Sequence, residues 1–190
     1  MVDLFLIEDF LDAATREEIV SELRSVSGSP ATVYGREAGG AVDARVRRVT
    51  RGIVSQVTHE RVVRQLLDVK GAIEEHFDII ISECEEPQFL RYQTGDFFVA
   101  HQDGNTPLIF DETRLRKVSI VIFLSPQSEE PAPDSYGGGA LVFHAPYPDL
   151  DLRFPLAAAP GTLVAFRAET THEVTPVTHG ERYTIVSWYR

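Results

Sequence analysis

The sequence predicts a mainly β protein of α+β type, with helices flanking strands that close into a small β-barrel or jelly roll. Three observations carry this reading: two amphipathic helical segments early in the chain, a change after Pro87 to short β-type runs, and turn chemistry between those runs. The first helix is expected from about Thr15 to Ser27, where Thr15 and Glu18 have capping-box spacing and Ile19, Leu23 and Val26 share a face. The second is expected from about Glu60 to Phe77, where Val62, Leu66, Val69, Ile73 and Phe77 form one apolar stripe. Between them, Gly28 to Ala44 is rich in Gly and polar residues and reads as a mobile loop. Eight strands are expected: Gln88 to Gln93, Phe97 to His101, Lys117 to Ser125, Ala140 to His144, Leu152 to Leu156, Thr162 to Arg167, His172 to Val177 and Arg182 to Tyr189. Thr94-Gly95-Asp96, Gly137-Gly138-Gly139, Pro160-Gly161 and His179-Gly180 supply turns between them. At 190 residues the chain suits one domain, with helical support over about 1–86 and the strand core over about 87–190. The open mouth of a jelly roll is a natural place for a metal and small ligands.

Composition narrows the function classes. A hydrophobic fraction of 43% with 25% charged residues belongs to a folded globular chain. Acids outnumber bases 29 to 18, giving a net charge of −11, a field that repels phosphate backbones, so nucleic acid is not an expected partner. Arg45, Arg47, Arg48 and Arg51 form a local basic strip, which reads as a solvated strand face. The single cysteine, Cys84, excludes an intrachain disulfide, and its acidic neighbours disfavour a thiolate. Met1 to Phe10 lacks the basic start of a signal peptide, and no apolar run approaches the roughly 18 residues of a membrane span, so a cytoplasmic location without a membrane partner is expected.

The chemistry centres on His101-Gln102-Asp103, at the end of a predicted strand. Residues i and i+2 of a strand point to one side, so an imidazole and a carboxylate can aim at one point, and Gly104 lets the chain turn away. His172, opening a later strand, is the best candidate for a third ligand. Two imidazoles and one carboxylate on one side of an iron leave three positions open. The pattern alone does not exclude zinc, and a lone His-x-Asp is a weak signal. His179 is expected exposed in a turn; His144 ends a strand without a His-x-Asp partner; His59 and His76 read as structural.

The wider context is more specific. Arg91-Tyr92-Gln-Thr-Gly95-Asp-Phe-Phe-Val-Ala-His101-Gln-Asp103 is followed by Gly138-Gly139-Ala-Leu141-Val-Phe143, Pro160-Gly161-Thr-Leu163-Val-Ala-Phe166, His172-Glu-Val174-Thr-Pro176, and Arg182-Tyr-Thr-Ile-Val-Ser-Trp188-Tyr. These segments resemble the prolyl 4-hydroxylase-like branch of the iron(II)/2-oxoglutarate oxygenases, closely over about 88–190 and more loosely over Leu6 to Leu23. The resemblance implies a double-stranded β-helix (jelly-roll) core, ferrous iron on His101, Asp103 and His172, and 2-oxoglutarate as co-substrate, with ascorbate as reductant. It implies that Arg182 receives the distal carboxylate of 2-oxoglutarate, that Tyr92 helps hold that co-substrate, and that Trp188 lies near the pocket floor. Arg182 is expected among Ile185, Leu163, Phe123 and Trp188. Phe123 departs from the family, standing where its oxygen-sensing members have a tyrosine. The implied reaction uses dioxygen to hydroxylate an unactivated C–H bond, and the Asp103 carboxylate favours hydroxylation over halogenation. A prolyl residue of a peptide or protein, or a proline-like small molecule, is the expected substrate; a free amino acid or natural product stays open. The alternative function is a non-enzymatic jelly-roll binding module with a degenerate or zinc-filled site. Gly28 to Ala44, with Arg45 to Arg51, is expected to cover the barrel mouth.

Overall fold

The computed structural model describes residues 2–33, 41–145 and 151–190. The chain opens with strand β1 (Leu4–Ile7), helix α1 (Ala13–Ser25) and three short strands, β2 (Ser29–Pro30), β3 (Arg47–Arg48) and β4 (Thr50–Gly52). Helix α2 (Gln56–Phe77) follows, then β5 (Gln88–Tyr92), β6 (Phe97–His101) and a 3₁₀ turn at Glu112–Leu115. The rest is β: β7 (Val118–Phe123), β8 (Tyr136–Gly138), β9 (Leu141–His144), β10 (Arg153–Leu156), β11 (Leu163–Arg167), β12 (His172–Val174), β13 (Val177–Gly180) and β14 (Arg182–Tyr189).

A seven-stranded sheet runs β1-β11-β7-β14-β5-β4-β2, a five-stranded sheet runs β10-β9-β12-β6-β3, and β13 pairs with β8 alone. The strand pairs are antiparallel. Two large sheets with helices on one outer face make the predicted mainly β jelly roll.

The period of two places the site. In β14, Tyr183, Ile185 and Tyr189 join the helices in the main core, while Arg182, Thr184, Val186 and Trp188 line a cavity on the other face. In β7 and β11, Ile122, Leu163 and Ala165 face the helices, and Val121, Phe123, Val164 and Phe166 pack between the sheets against Leu141 and Phe143. Both faces of this sheet are covered, which is why these strands read as near-continuous apolar runs. Ile73 of α2 is fully buried in the helix-facing core. Ile73→Ala is expected to cost about 2–5 kcal/mol, read as a lower urea midpoint with an unchanged slope.

Both helices start earlier than the apolar stripes predict, at their capping residues. Helix α1 starts at Ala13 because Asp12, not Thr15, is its cap, its carboxylate accepting from the Thr15 amide at 2.7 Å. Helix α2 begins at Gln56 because Ser55 caps it through the Thr58 amide at 3.2 Å. The expected strand His172 to Val177 is two strands, β12 and β13, parted at Thr175-Pro176, where proline has no amide to give. His179 therefore lies in β13 rather than in an exposed turn, and Gly137 and Gly138, expected in a turn, lie in β8.

Candidate metal centre

β6 and β12 are neighbours, and His101 stands opposite His172. The next pair is Val174 with Phe98, so β6 spends three residues where β12 spends two. This bulge turns Phe98 and His101 to the same side, their rings stacked at 3.5 Å and 18°. Asp103 follows two residues beyond His101. One donor atom from each of His101, Asp103 and His172 lies within 4.8 Å of the others. Both imidazole Nε2 atoms are 3.5 Å from an Asp103 carboxylate oxygen.

The surroundings set the protonation these ligands need. Nδ1 of His101 is 2.8 Å from the Val99 carbonyl, and Nδ1 of His172 is 2.9 Å from the Thr170 carbonyl. A carbonyl can only accept, so each Nδ1–H donates, and this fixes the tautomer in which Nε2 is the nitrogen that can face a cation. Burial, then the nearby His101, push His172 down to about 4, against the pull of Asp103, so its imidazole is neutral at neutral pH. Burial opposes charge on Asp103, but His172, His101 and Arg116 outweigh it and hold the carboxyl well below its usual range. Ser119 donates to Asp103 Oδ2 at 2.7 Å and fixes the carboxylate's orientation. Gly104 is required: a Cβ there would meet the Arg116 Cβ at 2.5 Å and the Thr113 carbonyl at 2.6 Å. Two imidazoles and an ionised carboxylate on one side suit a divalent first-row ion such as ferrous iron, with positions left open.

Arg182 is 1% exposed. Its guanidinium carbon lies 4.9 Å from the Tyr92 ring centre, 5.4 Å from Phe123 and 6.0 Å from Tyr136. Its one hydrogen bond is long, 3.4 Å to the Thr184 hydroxyl, and its Nε has no partner. Among the described residues no carboxylate pairs with it. A buried cation without an anion is costly, so this pocket is shaped for an anionic ligand. Arg182 shares a narrow cavity of about 40 Å³ with the three metal-type ligands, Tyr92 and Trp188. The expected neighbours need correction: Phe123 is there, but Ile185 and Leu163 face the helices because alternation turns them to the other side of the sheet.

A second cavity, of about 360 Å³, opens onto His101 and Asp103. Thr32, Val33, Ala41, Val46 and Arg47 line one wall, so the flanks of the expected covering segment do lie at the mouth. They are paired, Val33 with Ala41 and Ser29-Pro30 with β4, rather than a free loop. Residues 34–40, the middle of that segment, lie outside the described residues. Of the basic strip, Arg45, Arg48 and Arg51 are exposed as expected, but Arg47 is buried against this cavity. Trp188 lines both cavities, with the Arg116 guanidinium 3.7 Å from its ring centre.

Ser119, Arg116 and Tyr136 have no place in the sequence reading, and Arg47 is buried where a solvated strand face is expected. For Ser119 there is a signal, a lone hydroxyl in Val-Ser-Ile-Val-Ile-Phe; for Arg116 there is none, since its partner Glu85 lies far along the chain in the irregular stretch before β5. His144 faces Glu173, which alternation along β12 turns to the opposite side from His172, and His59 pairs with Glu86. Cys84 is half-buried, its thiol pushed up by burial and by Glu86, Glu85 and Glu83.

Residues 87–190 match the family model for the 2OG-Fe(II) oxygenase superfamily. A PKHD-type hydroxylase of Burkholderia ambifaria is 34% identical over 164 residues, 83% of this chain and 66% of its own length. One from Paracoccus denitrificans is 30% identical over 180 residues, 93% of this chain and 74% of its own. The chain thus spans about two thirds of the length of the first of these relatives. A Pseudomonas putida prolyl-4-hydroxylase structure shares the fold with a TM-score of 0.74 at 20% identity, covering 100% of this chain and 93% of that one. A Trichoplax adhaerens prolyl hydroxylase, in complex with a hypoxia inducible factor oxygen degradation domain peptide fragment, has a TM-score of 0.70 at 18% identity, covering 100% and 84%.

Proposed function

The chain belongs to the 2OG-Fe(II) oxygenase superfamily, and from that premise we propose that it is a 2-oxoglutarate-dependent dioxygenase that hydroxylates an unactivated C–H bond. The observation that carries the reading is Arg182, a buried guanidinium with no carboxylate partner among the described residues, in one cavity with a two-histidine, one-carboxylate set. A zinc-filled binding module has no use for that charge.

In this reading His101, Asp103 and His172 hold ferrous iron from one side, through Nε2, a carboxylate oxygen and Nε2. Arg182 receives the distal carboxylate of 2-oxoglutarate as a charge-assisted, two-bond pair. Tyr92 flanks that carboxylate, and Trp188 closes the pocket where the two cavities meet. When bound, iron and 2-oxoglutarate would supply the oxidising power: one oxygen atom of dioxygen goes into succinate as the co-substrate loses carbon dioxide, and the other goes into the substrate's C–H bond as a hydroxyl. The protein's share is to fix ligand tautomers through Val99 and Thr170, orient Asp103 through Ser119, and keep water out with Phe98, Leu141, Val174 and Val186.

The substrate is proposed to be a prolyl residue or proline-like ring, supported by the names of the similar hydroxylases and by a fold neighbour that holds a peptide fragment. Ascorbate as reductant, one domain over 1–190, and a cytoplasmic setting without nucleic acid or membrane complete the proposal. Among the described residues no helix is long and apolar enough to cross a membrane. Purified protein given ferrous iron, 2-oxoglutarate and air should form succinate, and zinc in place of iron should stop it; succinate formation that ignores the metal would refute the reading.

Ser119→Ala leaves the triad intact but removes the donor to Asp103. Affinity for ferrous or manganous ion is expected to fall about 10- to 100-fold, measured by titrating metal into metal-free protein. Unchanged affinity would mean that Asp103 is positioned by its own strand.

A further inference from the structure

Three buried guanidinium groups surround the two cavities, and their charges are balanced differently. Arg116 is held by Glu85 through two contacts of 2.9 and 2.7 Å. Arg182 is assigned above to the distal carboxylate of the co-substrate. Arg47 remains. It is 7% exposed, and its surroundings are a carbonyl and a ring: it donates to the Thr32 carbonyl at 2.9 Å and lies 4.8 Å over Phe98. Its Nε has no partner, and no carboxylate among the described residues pairs with it. Asp43 lines the same larger cavity, but Arg45 grips both its oxygens at 3.1 Å.

Position adds to charge. Arg47 lines the narrow cavity and the larger one, and Phe98 beneath it stacks on His101. Trp188 Nε1, a second buried donor without a partner, lines both cavities too. Two orphaned donors beside the metal ligands call for an acceptor. 2-Oxoglutarate has two carboxylates, one for the metal and one for Arg182, so it leaves none for Arg47.

Resting on the oxygenase reading, we propose that Arg47 is a substrate-specificity residue that receives a carboxylate carried by the substrate next to the carbon to be hydroxylated, with Trp188 Nε1–H donating to the same group. The carboxylate can come from a free amino acid or from an acidic residue of a peptide. A buried guanidinium accepts either and rejects an uncharged amide, which leaves its charge unanswered.

The test uses protein loaded with manganous ion, with and without 2-oxoglutarate, and reads binding by calorimetry. One arm is the twenty L-amino acids against their amides. The other is N-acetyl-Asp-Pro-amide against N-acetyl-Asn-Pro-amide, together with the Glu and Gln pair. In at least one arm the acid is expected to bind about 10- to 100-fold more tightly than its amide. R47M should erase that difference, and R47K, which keeps charge but not the fork, should restore part of it; thermal melts of both variants check that they fold. The proposal is overturned if no acid in either arm outbinds its amide, or if R47M weakens 2-oxoglutarate as much as it weakens the acid. Failure of 2-oxoglutarate to bind wild-type protein would instead sink the oxygenase reading, and the wild-type comparison of acid with amide needs no variant.

Discussion

Arg182→Ala is expected to raise the Michaelis constant for 2-oxoglutarate by roughly 30-fold to several thousand-fold. Removing one partner of a buried charge pair costs on the order of 2–5 kcal/mol, and that range converts to this loss of affinity. The contact is made in every state of the reaction, so it is uniform binding, and its loss appears in the Michaelis constant before the turnover number. Iron content should hold, because a guanidinium is a permanent cation with no lone pair to give a metal. A second readout separates this role from a structural one. The wild-type guanidinium is buried with a single long hydrogen bond, so Arg182→Met removes an uncompensated charge and should not lower the melting temperature of the ligand-free protein by much. What the variant should lose is the rise in melting temperature that 2-oxoglutarate gives wild type. Wild-type dependence on 2-oxoglutarate in Arg182→Ala would place the co-substrate elsewhere.

His172→Ala should act on the other half of the site and remove iron and turnover together. Loss of a partner behind a ligand typically weakens metal binding about 10- to 100-fold; loss of the ligand itself should exceed that. His172 is 4% exposed and already neutral, held by the Thr170 carbonyl, so the imidazole is ready to ligate. Added imidazole is expected to restore part of the metal binding by filling the space left by the ring. Full iron occupancy in His172→Ala, measured by metal analysis after dialysis, would remove it from the ligand set.

The fold was legible where burial is periodic. Val62, Leu66, Ile73 and Phe77 mark α2, and the apolar runs of β7, β11 and β14 mark strands covered on both faces. It was illegible where pairing replaces pattern: β2, β3 and β4 have two or three residues each, too few to show a period, and β8 is two-thirds glycine yet pairs with β13. The helix starts are illegible from the apolar stripes alone, because Asp12 and Ser55 cap each helix ahead of its first stripe residue. At the site, His101, Asp103 and His172 converge as their types and spacing suggested, yet the reason includes a bulge in β6 that no residue of the sequence announces. Arg47 shows the limit most clearly. Among four arginines in seven residues it looks like its exposed neighbours, and only the pairing of β3 with β6 turns it into the wall of the cavity.

One small molecule, 2-oxoglutarate, should bridge the metal and Arg182. Equilibrium dialysis of 2-oxoglutarate under argon, with and without ferrous iron, tests it without turnover. One 2-oxoglutarate should bind per chain, more tightly on adding iron, and iron should bind more tightly by the same factor on adding 2-oxoglutarate, as linkage requires. Equal binding of 2-oxoglutarate with and without iron, or none in either case, would contradict it.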